Sequence, residues 1–344
     1  MSLDRRLFVT ALGASVADCG APRPRRPGPP SLDSARLTAK FPALEARARP
    51  GVLGLGVALM DAGMSWTSDQ TNRYPMQSVF KAPMAAAALA EIDAARLRLA
   101  QPITISETDL SPPYSAIDQA WPTPPDHHSM TLPAIDLIAL AVQRSDNTAA
   151  DVIMSHVGGP SAVTAWLVGK SITDLRIDRY ERELQQEIAG MPPFRPAWKD
   201  EATWNAARDQ VPAEVREAAV AAYLADPRDT ATLPATLDFL TRLATGDLLS
   251  TASTALLLRL MTAAHTGAGR LRAALPQGAS LAHKTGSART DLGLTPATND
   301  IGIVTLNNSR RFAVAVYLAG STVTEAERDR LIADAGRLAI SCVD

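Results

Sequence analysis

Ser78 and Lys81 are the first two side chains in this sequence whose types and spacing could do chemistry. They open an alanine-rich stretch, residues 78–97, whose composition predicts a helix. Residues three apart lie on the same helix face. A serine hydroxyl needs a base to become a nucleophile, and a lysine in a desolvated, cationic site can lose its proton and act as that base. The pair is therefore a candidate acylation centre; the alternative is a capping serine followed by a surface lysine.

Two other polar strings could complete such a centre. Residues 145–147 (Ser-Asp-Asn) connect two predicted helices, 131–143 and 147–157, although these residue types would equally serve as a turn and N-cap. Residues 284–287 (Lys-Thr-Gly-Ser) lie on a predicted strand, 280–288, where a glycine often marks a close approach of backbone or ligand. A lysine beside a hydroxyl suits a carboxylate. Each string alone is weak, but their order and wide spacing together indicate an enzyme that acylates a serine.

The three strings form the S-x-x-K, S-D-N and K-T-G set of serine β-lactamases and penicillin-binding proteins. The sequence resembles class A β-lactamases in particular, over roughly residues 33–186 and 226–341. The likeness includes residues 176–184, which carry Glu181 and have no counterpart in the other serine classes.

The resemblance implies a role for each site residue. Ser78 would be the acylated nucleophile, Lys81 its proton partner, and Ser145 the group that passes a proton to the leaving nitrogen. The backbone N–H groups of Ser78 and Ser287 would form the oxyanion hole. Substrate contacts are expected from Asn147 (the side-chain amide), from Lys284, Thr285 and Ser287 (the carboxylate), and from Tyr114 (an aromatic wall).

Glu181 decides between a β-lactamase and a penicillin-binding protein. Both acylate a serine, but a β-lactamase adds a carboxylate that activates water against the ester. The resemblance assigns this task to Glu181; whether it or Lys81 activates the serine is disputed. The surrounding Ω loop is expected to be pinned by an ion pair between Arg179 and Asp229, with Arg176 and Asp178 in support.

The chain departs from the family pattern in two places. Gln185 stands where asparagine usually helps to hold the hydrolytic water, and its extra methylene is expected to move that water by about an ångström, a shift that can cost ~100-fold in rate. Residues 187–225 form a 39-residue insertion with a predicted helix at 213–224. We expect the insertion to form a flap over the Ω loop that tunes substrate choice. Four residues are candidates for the carboxylate-binding arginine: Arg270, Arg272, Arg328 and Arg330.

Composition excludes other function classes. The formal net charge of −2 gives no reason to expect nucleic-acid binding. The two cysteines, Cys19 and Cys342, are too few for a disulfide framework, and no Cys/His cluster has zinc-ligand spacing. Together with this composition, the resemblance implies a monomer that acts on a small β-lactam molecule with no metal and no cofactor.

The N-terminus resembles a twin-arginine export signal, because Arg5 and Arg6 precede a short apolar run, residues 9–17. This predicts an exported, periplasmic protein with a signal at residues 1–20 and an extended Pro/Arg-rich linker at 21–32. A frayed basic N-terminus is the alternative. Cys19 offers a lipid-anchor alternative, which Asp18 disfavours.

Strand patterns lie at both ends of the sequence and helical patterns in the middle. We expect an α+β, β-lactamase/transpeptidase-like fold, in which an antiparallel sheet flanked by helices is built from residues 33–74 and 276–344. Residues 75–275 would form an inserted all-α lobe.

The sequence predicts a class A serine β-lactamase that hydrolyses penicillins and cephalosporins through an acyl-enzyme on Ser78. Two alternatives remain if Gln185 and the insertion disable deacylation. They are a penicillin-binding D-alanyl-D-alanine peptidase or esterase of the same superfamily, and a β-lactam sensor that is acylated without turnover.

Overall fold

The structure is a computed structural model that describes residues 30–121 and 129–344. The predicted export signal, Cys19 and most of the predicted linker lie outside the described residues. Ser31 and Leu32 belong to the folded part, because they pair with Asp344 and Val343 and Leu32 is buried. The predicted linker therefore ends before residue 31.

A five-stranded antiparallel sheet in the order β2-β1-β9-β8-β7 forms the centre of the molecule. Strand β9, in the middle of the sheet, and its neighbour β8 are buried along almost their whole length. Strand β9 reads as a nearly continuous apolar run, as expected for a strand covered on both faces. Two short two-stranded pairs, β3-β6 and β4-β5, lie almost entirely within residues 75–275, so the prediction that this part of the chain is all-α is wrong. The strands are β1 Val52–Leu59, β2 Met64–Thr67, β3 Tyr74–Pro75, β4 Pro102–Ser106, β5 Ser129–Pro133, β6 Thr230–Ala231, β7 Ser280–Ser287, β8 Thr295–Thr305 and β9 Arg311–Ser321.

Helices cover both faces of this sheet. In chain order they are α1 Ser34–Ala48, α2 Lys81–Asp93, α3 Ala116–Gln119, α4 Ala134–Ala139, α5 Asn147–His156, α6 Pro160–Gly169, α7 Glu181–Ile188, α8 Glu201–Asp209, α9 Ala213–Ala225, α10 Leu233–Thr245, α11 Thr251–Thr262, α12 Leu271–Ala274 and α13 Glu325–Ile340. Helices α1, α12 and α13 pack on one face around a core that includes Leu37, Leu55, Val316 and Leu331. Helix α10 packs on the other face against β1, β8 and β9.

A second core lies between the sheet face that α10 covers and the helices in the middle of the chain. Helix α2 lies at its centre, and its residues from Lys81 through Leu89 are all buried. A helix that is apolar on every side belongs inside a protein. This helix begins with Lys81, three residues after Ser78, so the reactive pair is attached to an element whose first residues are all buried.

The predicted insertion folds into helices with small cores of its own. Its first two residues, Glu187 and Ile188, complete helix α7, which begins at Glu181. Helix α9 packs against α7 through Leu184, Ile188, Val220 and Tyr223. Trp204 of α8 packs with Met191 in a second small cluster. The insertion is therefore attached to the helix that carries Glu181.

Most predicted elements are present with shifted ends. The first predicted helix ends at Asp93, not at residue 97, because Ala95 turns into the left-handed region with φ 56°. The helix predicted from residue 131 begins only at Ala134, since Pro133 ends strand β5. Among the described residues no helix is long and apolar enough to span a membrane.

Candidate active site

Ser78 lies in a single turn of 3₁₀-helix, Gln77–Phe80, that leads into α2, where Lys81 is the first residue. Nζ of Lys81 donates to Oγ of Ser78 at 2.9 Å. Ser78 is partly exposed and lines a cleft, whereas Lys81 is fully buried. The predicted one-turn relationship between the two side chains is confirmed.

The amine of Lys81 is surrounded by oxygen atoms from three elements. It donates to the backbone carbonyl of Ser145 at 2.7 Å and to Oδ1 of Asn147 at 2.5 Å. It also forms an ion pair with Oε1 of Glu181 at 2.9 Å, with both side chains fully buried. A buried charge is tolerated when it is paired and hydrogen-bonded in this way.

The turn at residues 145–147 is shaped by unusual backbone. The chain before it, Leu140–Arg144, is a π-helical turn, a feature that is frequent at functional sites. Ser145 then adopts a left-handed conformation with φ 60°. Asp146 caps α5 by accepting from the N–H of Ala149 at 2.8 Å. The capping prediction is therefore confirmed for Asp146, while the side chains of its neighbours turn toward the site.

Strand β7 brings the second lysine to the same place. Nζ of Lys284 donates to Oγ of Ser145 at 2.9 Å. Burial, reinforced by the charge of Lys81, lowers the pKa of Lys284 well below its usual value. The close approach predicted at Gly286 is confirmed, because a Cβ there would lie 2.4 Å from the carbonyl oxygen of Met76. Only glycine lets β7 lie against the turn that carries Ser78.

Glu181 is the first residue of α7, and its backbone is held by a buried carboxylate. Oδ1 of Asp151 accepts from the N–H of Glu181 at 2.7 Å, and Oδ2 accepts from that of Arg182 at 3.1 Å. Oε1 of Glu181 accepts from Ser78 Oγ at 3.1 Å. The other carboxylate oxygen, Oε2, accepts from Nε2 of Gln185 at 2.9 Å. Glu181 thus points at the nucleophile.

The electrostatics of this carboxylate favour its charged form. Burial by itself would raise the pKa of Glu181, but the charge of Lys81 and the hydrogen bonds from Gln185, Lys81 and Ser78 outweigh burial. The pKa of Glu181 therefore lies below its usual value. An ionised carboxylate beside a serine oxygen can accept a proton, as a general base must.

The expected Ω-loop pin is confirmed. Within residues 176–229, which we call the Ω loop, Nε of the buried Arg179 lies 2.6 Å from Oδ2 of Asp229. Oδ1 of Asp229 also accepts from the backbone N–H groups of Asp178 and Arg179. Arg176 pairs with Asp178 at 2.5 Å. Glu187 of the insertion also pairs with Arg179. Arg179, near one end of the Ω loop, thus binds both the insertion and Asp229 at the other end.

A cleft of about 420 Å³ opens beside Ser78. Tyr114, 44% exposed, lies on its wall, as do Thr285 and Ser287. The described lining residues include four arginines and one carboxylate: Arg144, Arg270, Arg289, Arg328 and Glu325. A cleft with this excess of positive charge suits an anionic molecule.

Two of the four candidate arginines reach the cleft. Nη2 of Arg270 donates to Oγ of Ser287 at 2.8 Å. Arg328 lines the cleft and donates to Thr298. Arg330, by contrast, is exposed and pairs with Glu327, and Arg272 donates to the carbonyl of Ala264. Neither of these two lines the cleft.

Sequence reasoning missed several residues of the cleft. Thr266 shares a hydrogen bond of 2.6 Å with Thr285, and Arg144 and Arg289 also line the wall. Thr266 and Arg289 lie outside the helices and strands and carry no local signal. Arg144, next to the Ser-Asp-Asn string, is the one that its position in the chain could have suggested.

The comparisons with known proteins agree with this geometry. The chain matches the β-lactamase enzyme family over residues 36–343. The β-lactamase VEB-1 of Pseudomonas aeruginosa is 28% identical over 287 residues, which is 83% of each chain. A solved β-lactamase from Chitinophaga pinensis is 32% identical, with a TM-score of 0.71 over 87% of this chain and 96% of that one. An ancestral class A β-lactamase, also 32% identical, has a TM-score of 0.71 over 89% of this chain and 99% of its own.

The chain belongs to the β-lactamase enzyme family. Within this family it is a class A enzyme, a serine hydrolase that opens the lactam ring through an acyl-enzyme. Of the three functions that the sequence left open, the comparisons support the first.

Proposed function

We propose that this class A enzyme hydrolyses penicillins and cephalosporins by acylation of Ser78 and by deacylation with a water molecule that Glu181 activates. The observation that carries this proposal is the distance of 3.1 Å between Oε1 of Glu181 and Oγ of Ser78. Any ester formed on that oxygen has its carbonyl carbon beside the carboxylate. A general base must lie within hydrogen-bond reach of the proton that it removes, directly or through one water.

Acylation uses the groups around Ser78. Oγ attacks the lactam carbonyl carbon, and its proton passes to the Lys81–Glu181 pair, which lies within 3.1 Å of Oγ. The carbon–nitrogen bond then breaks, and the nitrogen takes a proton from Oγ of Ser145. The Ser145 hydroxyl, which accepts a hydrogen bond from Lys284, then regains a proton from the Lys81–Glu181 pair, so that Glu181 is ionised again before deacylation.

In the acyl-enzyme, Oγ of Ser78 is an ester oxygen and no longer carries a hydrogen. Oε1 of Glu181 has therefore lost its hydrogen bond from Ser78 and can accept one from a water molecule instead. The water attacks the ester carbon, its proton moves to Glu181, and the bond between that carbon and Oγ breaks. Oγ recovers a proton from the Lys81–Glu181 pair, and the enzyme is ready for another cycle.

Substrate binding is assigned to the walls of the cleft. Thr285 and Ser287 contact the substrate carboxylate, and Arg270 orients the Ser287 hydroxyl from behind. Asn147 uses one hydrogen of Nδ2 for the carbonyl of Pro113 at 2.6 Å, which leaves the other for the side-chain amide of the substrate. Tyr114 provides an aromatic wall.

Ion pairs that connect the insertion to other parts of the chain support a role for the insertion in substrate choice. Lys199 pairs with Glu107, which precedes the segment that carries Tyr114. Arg208 and Arg216 pair with Asp291 between β7 and β8, next to the cleft residue Thr290. We therefore assign the insertion the role of a bridge across the mouth of the cleft, which limits the bulk of the substrate side chain.

A turnover assay tests this function. Purified protein mixed with a chromogenic cephalosporin is expected to hydrolyse many equivalents, and intact-mass spectrometry should detect a transient adduct. Ser78→Ala is expected to abolish both hydrolysis and adduct, because the Ser78 hydroxyl is the one that contacts both Lys81 and Glu181. Hydrolysis that persists in Ser78→Ala would refute the proposal.

Export and assembly belong to the same proposal. The twin-arginine-like pattern at Arg5 and Arg6 supports delivery to the periplasm, and we propose that the mature enzyme is a monomer. Replacement of both arginines by lysine should retain activity inside the cell while removing it from the periplasmic fraction. Size-exclusion chromatography with light scattering should give a mass near 36.5 kDa or less for the monomer.

A further inference from the structure

A chain of hydrogen-bonded side chains connects the insertion to the carboxylate of Glu181. Nε2 of Gln77 donates to Oη of Tyr223, on helix α9, at 2.6 Å. Oε1 of Gln77 in turn accepts from Nε2 of Gln185 at 3.2 Å. The same Gln185 amide donates to Oε2 of Glu181 at 2.9 Å. The chain thus runs from a residue of the insertion to the group proposed as the base.

Every member of this chain is buried. The exposed fraction is 4% for Tyr223, 1% for Gln77, 8% for Gln185 and 0% for Glu181. Removal of one partner from a hydrogen bond between buried groups costs free energy, because no water molecule can take the place of the lost partner. The orientation of each amide is therefore fixed by its neighbours in the chain.

Gln77 is the residue whose position most needs such support. It directly precedes Ser78 and adopts a left-handed conformation with φ 47°. A left-handed residue other than glycine persists only when its surroundings hold it there. The side-chain bonds to Tyr223 and Gln185 supply that hold on both sides of the amide.

Tyr223 itself is held firmly. Its ring packs with Leu184, Ile188 and Val220 between α7 and α9. The guanidinium group of Arg179 lies 5.9 Å from the ring centroid, within range of a cation–π interaction. Arg179 is also the residue of the Ω-loop pin, so the phenol oxygen is fixed relative to the loop that carries Glu181.

We infer that Tyr223 is a positioning residue for deacylation, which acts through Gln77 and Gln185 to hold the Glu181 carboxylate against Ser78. The inference rests on the proposed role of Glu181 as the base. It also explains how a glutamine can occupy position 185. The extra methylene gives the side chain an additional rotatable bond, and the bonds to Gln77 and Glu181 remove that freedom.

The inference makes a kinetic prediction for Tyr223→Phe, which keeps the packed ring and removes only the hydroxyl. The deacylation rate constant should fall about tenfold, which corresponds to the typical net contribution of one hydrogen bond. Acylation, reported by kcat/KM, should stay within about twofold of the wild type, because the contact of Lys81 with Ser78 does not depend on the Tyr223 hydroxyl. The acylated fraction at steady state, measured by intact-mass spectrometry, should therefore rise.

Tyr317→Phe is the matched control. Tyr317 is also a fully buried tyrosine, and its hydroxyl shares one hydrogen bond of 3.0 Å with Thr236 in the core behind the sheet. Tyr317→Phe should lower the thermal unfolding midpoint about as much as Tyr223→Phe does. It should leave the deacylation rate constant unchanged. An equal fall in deacylation for both variants would mean that the effect is only structural, and would overturn the inference.

A second variant breaks the chain of hydrogen-bonded side chains at Gln77, in its middle. Gln77→Met keeps the length of the side chain without the amide, and should also slow deacylation about tenfold. The double variant Gln77→Met/Tyr223→Phe should be no slower than the worse single variant, since both changes break the same connection. Additive effects, or a wild-type deacylation rate constant in Tyr223→Phe, would overturn the inference.

Glu181→Gln separates this inference from the proposed function. If that variant accumulates no adduct, the proposed role of Glu181 fails and the chain has no base to position. If Glu181→Gln accumulates adduct while Tyr223→Phe deacylates at the wild-type rate, the proposed function stands and only the role of Tyr223 fails.

Discussion

Nζ of Lys284 lies 2.9 Å from Oγ of Ser145, although 139 residues separate the two in the sequence. One residue belongs to the sheet and the other to a turn between two helices. Because the Ser145 hydroxyl faces the cleft and touches a lysine whose pKa is lowered by burial, it is suited to donate a proton to the leaving nitrogen.

Ser145→Ala is expected to lower kcat/KM for a penicillin roughly 10²- to 10⁴-fold, the usual effect of a general acid. Steady-state kinetics with the purified variant measures this. Ser155→Ala, which removes an exposed hydroxyl on the neighbouring helix α5, is the matched control and should retain wild-type kinetics. A value of kcat/KM within twofold of the wild type in Ser145→Ala would mean that the nitrogen receives its proton elsewhere.

The bridge over the cleft should depend on Asp291. This carboxylate pairs with Arg208 and Arg216, and its side chain is only 14% exposed. Asp291→Asn is expected to raise hydrogen exchange in helices α8 and α9 by about tenfold, because local opening of each helix no longer breaks its ion pair to Asp291. The ratio of kcat/KM between a bulky cephalosporin and a small penicillin should rise at least ~3-fold as the mouth opens.

Asp209→Asn provides the control for this prediction. Asp209 also pairs with Arg208, but its side chain is 60% exposed, and exposed pairs contribute little. It should change neither hydrogen exchange nor substrate preference. Identical behaviour of Asp209→Asn and Asp291→Asn would contradict a bridging role for the insertion.

The stability of the enzyme should depend on pH through Asp151. Burial raises the pKa of Asp151 from its ordinary value of 3.8 to about 7. Since the folded-state pKa is the higher one, the protonated form stabilises the folded protein below about pH 4, and this contribution is lost as the pH rises through about 7. Between these values the free energy of unfolding should fall by about 1.4 kcal/mol per pH unit from this residue.

Asp151→Asn removes that slope, since asparagine does not titrate. The free energies of unfolding of wild type and variant are measured in urea at intervals from pH 4 to 8. The difference between the two free energies should change steadily across this range. Asp118, whose pKa burial also raises to about 7, should leave a residual slope in both proteins. A pH-independent difference between the two proteins would show that Asp151 is already ionised throughout.

The sequence predicted the reacting groups well because their chemistry demands fixed types in a fixed order. Ser78, Lys81 and Ser145 meet within hydrogen-bond distance, as their strings indicated. Gly286 was expected to mark a close approach, and it does. The Arg179–Asp229 ion pair also follows the family pattern. Local patterns could find these residues, since Ser78, Lys81 and Ser145 lie in turns or at a helix end and Gly286 interrupts a strand pattern.

Other features depend on contacts that no local pattern encodes. The bond between Gln77 and Tyr223 joins residues 146 positions apart, and the bridge from the insertion to Asp291 is equally non-local. Helix α10 was missed although Thr232 caps it and a proline follows in its first turn, which is a readable start signal. Helix α7 was missed as well, although Glu183 accepts from the N–H of Tyr180 in a capping arrangement.

The central claim, that Glu181 is the base for deacylation, is tested most directly with Glu181→Gln. The protein is mixed with a chromogenic cephalosporin and sampled over time by intact-mass spectrometry, with peptide mapping to locate the adduct. A stoichiometric, long-lived adduct on Ser78 is expected, with a turnover rate lowered by at least ~10²-fold. Wild-type turnover without an accumulating adduct would contradict the claim.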